Sequence, residues 1–184
     1  MAATTFQSSP PGGQRSIEEL GVIEAVSGLK ARYFRLMDLK QWDDWEALYI
    51  DEAVMDVSGE AAAMAQLGFP SPPPDAEPLI WHSAGKIRRN VSAALEGITS
   101  VHHGHMPEVE FVSPERVAVI WAMQDIIRYP VGAPTPVPSF NGYGHYHDVY
   151  VKRGGQWRIE SVKLVRLTLI PVFVSGNNSG ENSA

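Results

Sequence analysis

A histidine and a carboxylate that meet in an apolar setting can move protons without a metal or an organic cofactor. Four positions in this chain invite that chemistry. His102 opens the run His102-His103-Gly104-His105, the densest titratable cluster in the sequence. Histidine changes charge near neutral pH, which suits acid–base work. Strand alternation puts His102 on one face and His103 with His105 on the other, so the three do not act as one unit. A strand histidine can equally be structural, and local sequence keeps both readings open. The pair His103 and His105 could chelate a metal. With no cysteine and no carboxylate motif nearby, no metal is expected.

Asp125 ends the alternating row Val117, Val119, Trp121, Met123 and Asp125, with Ile127 beyond it. One carboxylate closing an apolar row is either a buried acid–base group or a residue at the sheet's rim. Tyr33 and Asp38 lie five residues apart on a helical pattern. A carboxylate at a helix C-terminus opposes the helix dipole, so Asp38 is either solvated or held by donors. The run Tyr143-Gly144-His145-Tyr146-His147-Asp148 fills two strand faces, and some of its members could line a pocket for an aromatic ligand.

The chain carries no phosphate loop, no GxGxxG, no GxSxG and no HExxH. Nucleotide, flavin and serine-hydrolase chemistry therefore find no support. The net charge is −6, and Lys and Arg form no cluster. That argues against nucleic acid and anionic membranes as partners. Absence of cysteine removes disulfides and thiolate chemistry and is compatible with cytosol. The opening segment MAATTFQSSPPGGQRS has no apolar run long enough for a signal sequence, and no stretch is long enough to span a membrane. A cytoplasmic location is the expectation.

The elements that must position these residues can be outlined. Residues 1–15 and 175–184 are poor in apolar side chains and are expected to be disordered, which leaves one domain over 16–174. Ser16 with Glu19 forms a capping box, and Val22, Val26, Leu29, Tyr33 and Leu36 follow at helical spacing. A short helix over Trp42–Leu48 and a strand over Ala53–Val57 come next. Residues 58–82, with GFPSPPPDAEP, are expected to form a long loop, because proline lacks an amide donor and fixes φ. Ser83 caps a third helix bearing Ile87, Val91 and Leu95. Thr99–Phe111, Arg116–Tyr129, Phe140–Lys152 and Gln156–Leu169 then read as four strands of an antiparallel meander. Helices segregated from such a sheet give an α+β fold.

Several stretches together resemble the SnoaL-like branch of the NTF2-like superfamily. They are ARYFRLMDLKQWDDWEALYIDEA, TSVHHGHMPEVEFVSPERV, WAMQD and GYGHYHDVYVKRGGQWRIESVKL, and the resemblance spans Ile17 to Leu169. It implies an NTF2-like cone, or α+β barrel: three N-terminal helices on a strongly curved antiparallel sheet around a central pocket. Within that branch the spacing is similar to cofactor-independent lyases. Tyr33, Asp38, His102 and Asp125 match the active-site pattern of bile-acid 7α-dehydratase. Asp38 and His102 match the dyad of hexachlorocyclohexane dehydrochlorinase. Scytalone dehydratase is similar too, but has a histidine near the place of Asp125. A formaldehyde-releasing diarylpropane lyase also belongs to the superfamily.

What the resemblance implies is a cofactor-free lyase acting on a hydrophobic aromatic or polycyclic hydroxylated compound, with loss of water as the leading reaction. Loss of formaldehyde from a diarylpropane-type aromatic and isomerisation are the enzymatic alternatives. A non-catalytic binding module or dioxygenase β-type subunit is the alternative of another class. His102 is the expected principal acid–base group and Asp38 its orienter. Asp125 is the expected second acid–base group and Tyr33 a donor to the substrate. His103, Trp121, Tyr143, His145 and Tyr49 are the expected substrate contacts. The usual assembly in such families is a homodimer or homotrimer.

Overall fold

The computed structural model describes residues 14–73, 75–76 and 79–173. The expected disordered segments 1–15 and 175–184 lie outside these residues, apart from Gln14 and Arg15.

Helix α1 runs Ile17–Asp38. Its start is fixed by the capping box: Glu19 N–H donates to Ser16 Oγ at 3.1 Å, and Ser16 N–H donates to Glu19 Oε2 at 2.8 Å. Its buried stripe holds Val26, Leu29, Lys30, Tyr33, Phe34, Leu36 and Met37. The chain turns back through Lys40 at φ 59° into α2, Trp42–Glu46. Strand β1, Tyr49–Asp56, begins four residues before the expected position.

The segment expected as a loop contains two elements. Helix α3, Glu60–Ala65, has the sequence EAAAMA, whose strong helix formers are too few to show a period. Strand β2, Ile80–His82, is only three residues long and pairs with β1. Positions 69–73, in the proline-rich stretch, form neither helix nor strand. Helix α4 is Ala84–Ala94, so the described residues hold four helices rather than three. The long strands β3 (Thr99–Ser113), β4 (Arg116–Arg128), β5 (Ser139–Arg153) and β6 (Gln156–Pro171) form the meander. Among the described residues no helix is long and apolar enough to cross a membrane.

The fold is α+β, with one curved six-stranded sheet in the order β2-β1-β6-β5-β4-β3. The sheet stays open, so it is a cone-like wrap and not a closed barrel. It is also not wholly antiparallel: β1 runs parallel to β6, with α3, β2, α4 and the first three meander strands between them in sequence. Helix α1 packs across the inner face. Tyr33, Trp45 and Tyr150 are among the largest fully buried side chains of the core.

Two irregularities aim the inner-face residues. On β3 the register shifts between Gly104 and Pro107, so Ser100 and His102 face in before the bulge and Val109 and Phe111 after it. Gly104 cannot carry a side chain, because the Phe34 ring stands 2.6 Å from where its Cβ would be. A second shift, opposite Val149 and Tyr150, offsets β6 between Ile159 and Ser161, so Val162, Leu164 and Arg166 face inward beyond it.

Candidate active site

The inner faces of β3, β4 and β6 converge beneath α1 on a cavity of about 470 Å³. Its polar end presents Tyr33, His102, Asp125, Tyr146, Arg166 and Glu60. The rest is largely apolar, with Met37, Met55, Trp81, Val91 and Leu95 in its wall. One polar end and apolar walls are the usual form of a small-molecule site.

Asp38 ends α1 and is held by donors, which offset its unfavourable place in the helix dipole. His102 N–H donates to Asp38 Oδ2 at 2.8 Å, and Ser100 Oγ–H donates to Oδ1 at 2.9 Å. Lys40 Nζ in turn donates to Ser100 Oγ at 2.7 Å. His102 Nδ1 lies 2.6 Å from Asp38 Oδ1, so the ring proton belongs on Nδ1 and Nε2 is left as an acceptor. The imidazole stacks on Phe34, with the planes 4° apart. Its side chain is only 6% exposed.

His102 and Asp125 are direct cross-strand partners. His102 Nε2 stands 3.9 Å from Asp125 Oδ2. Asp125 is 1% exposed, but its setting is not the purely apolar wall expected. Arg166 Nη1 donates to Oδ1 at 2.9 Å and Nη2 to Oδ2 at 2.6 Å. The same guanidinium donates from Nε and Nη2 to Glu60, at 2.9 and 3.1 Å. Burial works against its charge, but Glu60 and Asp125 outweigh that and hold Arg166 above its ordinary value. Gly142, opposite Asp125 on β5, leaves room for this ion pair. A Cβ there would collide with Asp125 Oδ1 and Arg166 Nη1.

Tyr33 lines the cavity near this group. Burial pushes its phenol well up, with smaller contributions from Tyr49 and Asp148, so the hydroxyl stays protonated. Tyr146 is likewise pushed up by burial. The structure therefore brings Tyr33, His102 and Asp125 to one end of one cavity, with Asp38 held against His102.

The five expected substrate contacts are placed elsewhere. Tyr143 and His145 sit on the outer face of β5, because Gly142, Gly144, Tyr146 and Asp148 take the inner one. His103 is exposed on the outer side of β3. Trp121 and Tyr49 do face inward, but are packed in the core beyond the cavity; Trp121 Nε1 donates to Tyr150 Oη at 3.2 Å. Arg166 and Glu60 escaped the sequence reading. Arg166 lies past a bulge that breaks strand parity, and Glu60 lies in a segment without visible period.

A sequence model of the SnoaL-like domain matches residues 18–163, most of the chain. The chain belongs to the SnoaL-like family. Its NTF2-like relatives share the architecture at low identity. A probable cyclase of Gibberella zeae is 24% identical over 140 residues, covering 75% of this chain and 86% of its own. The solved LinA-type3 hexachlorocyclohexane dehydrochlorinase from Novosphingobium barchaimii superposes with a TM-score of 0.66 at 17% identity, over 86% of this chain and 98% of that one. A scytalone-dehydratase-like protein of Novosphingobium aromaticivorans gives 0.66 at 18%, over 86% and 92%. These superpositions speak for the fold. One SnoaL-like architecture hosts several activities, so function rests on the site.

Proposed function

We propose that this SnoaL-like protein is a cofactor-independent lyase that removes water from a hydrophobic aromatic or polycyclic hydroxylated molecule. The carrying observation is the Asp38–His102 pair, whose free Nε2 opens on a largely apolar cavity. Nε2 takes the proton from the substrate C–H. Asp38 holds the Nδ1–H and offsets the charge of the imidazolium that forms. The electron pair of the broken C–H bond becomes the new π bond as the C–O bond breaks. The imidazolium then returns its proton to the departing oxygen, so water leaves and His102 is restored. Asp125, with both oxygens accepting from Arg166, acts as an acceptor that positions the substrate and steadies the imidazolium. The protonated Tyr33 donates to a carbonyl or phenol oxygen where charge develops.

The lyase reading draws support from the dehydratase, dehydrochlorinase and cyclase names among its relatives. A dioxygenase β-subunit also shares the fold, with a TM-score of 0.60. A purely structural role of that kind gives no reason for two carboxylates to flank a buried histidine.

His102→Ala and Asp38→Asn should each lower turnover by about 10²-fold or more on a hydroxylated aromatic substrate. Product mass reports which bond is cut: loss of water, loss of formaldehyde, or no change for an isomerase. Wild-type turnover in both variants would sink the assignment.

A further inference from the structure

The charges around the cavity are unequal, and their geometry bears on what can enter. We infer that the cavity selects an uncharged hydroxylated ring system against carboxylate-bearing ones, and that Glu60 is the residue that sets this selection. The inference rests on the reading of this cavity as the substrate site and narrows its substrate class.

Arg166 is the only lysine or arginine lining the cavity among the described residues. A ligand carboxylate would need its fork of N–H groups, and that fork is occupied. Nε serves Glu60 Oε2, Nη2 serves Glu60 Oε1 and Asp125 Oδ2, and one Nη1 N–H serves Asp125 Oδ1. The remaining Nη1 contact is Met123 Sδ at 3.9 Å, a weak acceptor. Two carboxylates, Asp125 and Glu60, thus share one guanidinium and leave it no strong site for a ligand anion. While His102 is neutral, an incoming anion meets a net negative charge at this end of the cavity.

A cation gains little from these carboxylates, because Arg166 already neutralises part of their charge, and it must shed its hydration to enter a largely apolar cavity. A neutral hydroxyl escapes both the repulsion and the desolvation. It can donate to His102 Nε2 or to a spare lone pair of Asp125.

Glu60 is the carboxylate whose loss would change the balance. Asp125 and Asp38 are tied to His102, whereas Glu60, among the described residues, pairs with Arg166. Glu60→Gln keeps an acceptor for the guanidinium, removes one negative charge and frees an N–H group for a ligand.

The test uses three ligands with one ring system and the full chain at pH 7: 2-naphthol, 2-naphthoate and 2-naphthylmethylammonium. Dissociation constants come from calorimetric titration. In the wild type, naphthol should bind most tightly and each charged analogue about tenfold or more weakly. In Glu60→Gln the gap between naphthoate and naphthol should shrink about tenfold, with naphthol itself changed less than about threefold. Naphthoate binding as tightly as naphthol to the wild type would overturn the inference. So would equal weakness of all three ligands, or an unchanged gap in a variant whose circular dichroism matches the wild type. The measurement needs no turnover. The expected ranking without any lyase activity would remove the proposed reaction alone, while turnover of an anionic substrate would remove the charge selection alone.

Discussion

Two buried ion pairs share the inner side of this sheet, and they face different surroundings. Asp125 on β4 meets Arg166 on β6 at the end of the cavity, and Glu60 extends the pair toward solvent. Asp148 on β5 meets Lys30 on α1 at 2.8 Å, with side chains only 0% and 1% exposed. The Lys30 ammonium lies against the rings of Tyr146 at 3.8 Å, Tyr33 at 4.3 Å and Phe34 at 4.9 Å. Tyr150 Oη–H donates to Asp148 Oδ2 at 2.7 Å, while Oδ1 has no hydrogen-bond partner among the described residues. Burial pulls Lys30 below its ordinary value, and Asp148 opposes that. The difference is access. The first pair can be met by a ligand, and the second is sealed behind Tyr33 and Tyr146, whose rings separate the two networks.

The sealed pair should therefore govern stability. Lys30→Met leaves Asp148 charged, buried and supported only by Tyr150. It should cost about 3–5 kcal/mol in urea unfolding. Removing both charges, with Lys30→Met and Asp148→Leu together, should recover most of that loss, because no ion is then left unpaired. A cost below about 1 kcal/mol for the single variant would show that water reaches Asp148, and the contrast with the open pair would collapse.

The open pair should govern activity instead. Arg166→Met removes the guanidinium that fixes both oxygens of Asp125. Turnover on the true substrate should fall on the order of 10²-fold, since sub-ångström placement of catalytic partners carries that much rate. The stability cost should stay near 1–3 kcal/mol, because Asp125 and Glu60 can take water from the cavity. Steady-state kinetics and urea unfolding of the same preparation check both numbers. Loss of stability equal to that of Lys30→Met would mean that the two pairs are structurally alike.

The sequence exposed these two networks unevenly. The capping box and the alternation of β4 are local or periodic signals, whereas the joining of His102 with Asp125 is implied only by the resemblance to cofactor-independent lyases. Asp38 announced its need for donors through its place at a helix end, and it has three. Lys30 could have been noticed, because it sits on the stripe of Val26, Leu29 and Tyr33 at helical spacing. Its partner could not, since the two lie 118 residues apart with no shared motif. Arg166 was hidden by the bulge that offsets its strand, and Glu60 by a helix of six residues. Glycines 142 and 144 lie on the inner face of β5, but Tyr143 and His145 beside them drew the reading to the outer one.

A smaller effect separates the networks by pH. Tyr150 in the sealed region is held well above the ordinary tyrosine value of 10, by burial first and by Asp148 next. A group whose folded value is raised binds more protons in the folded state than in the unfolded chain once the pH exceeds 10. Its contribution is complete below that value and is lost as the pH climbs above it. The loss is about 1.4 kcal/mol per pH unit for one tyrosine, until the folded value is reached. Tyr150→Phe should flatten the alkaline fall in stability by about that slope. At pH 7 it should also lose about 1.5–3 kcal/mol from the missing hydrogen bond to Asp148. Tyr33→Phe should flatten the slope similarly, because burial raises that phenol too. Its loss at neutral pH should be smaller, since Tyr33 makes no bond to the sealed carboxylate, and its penalty should fall on turnover. Urea unfolding from pH 8 to 11 with matched kinetics separates the two outcomes. Equal losses at pH 7 would mean that the cavity tyrosine belongs to the sealed network after all.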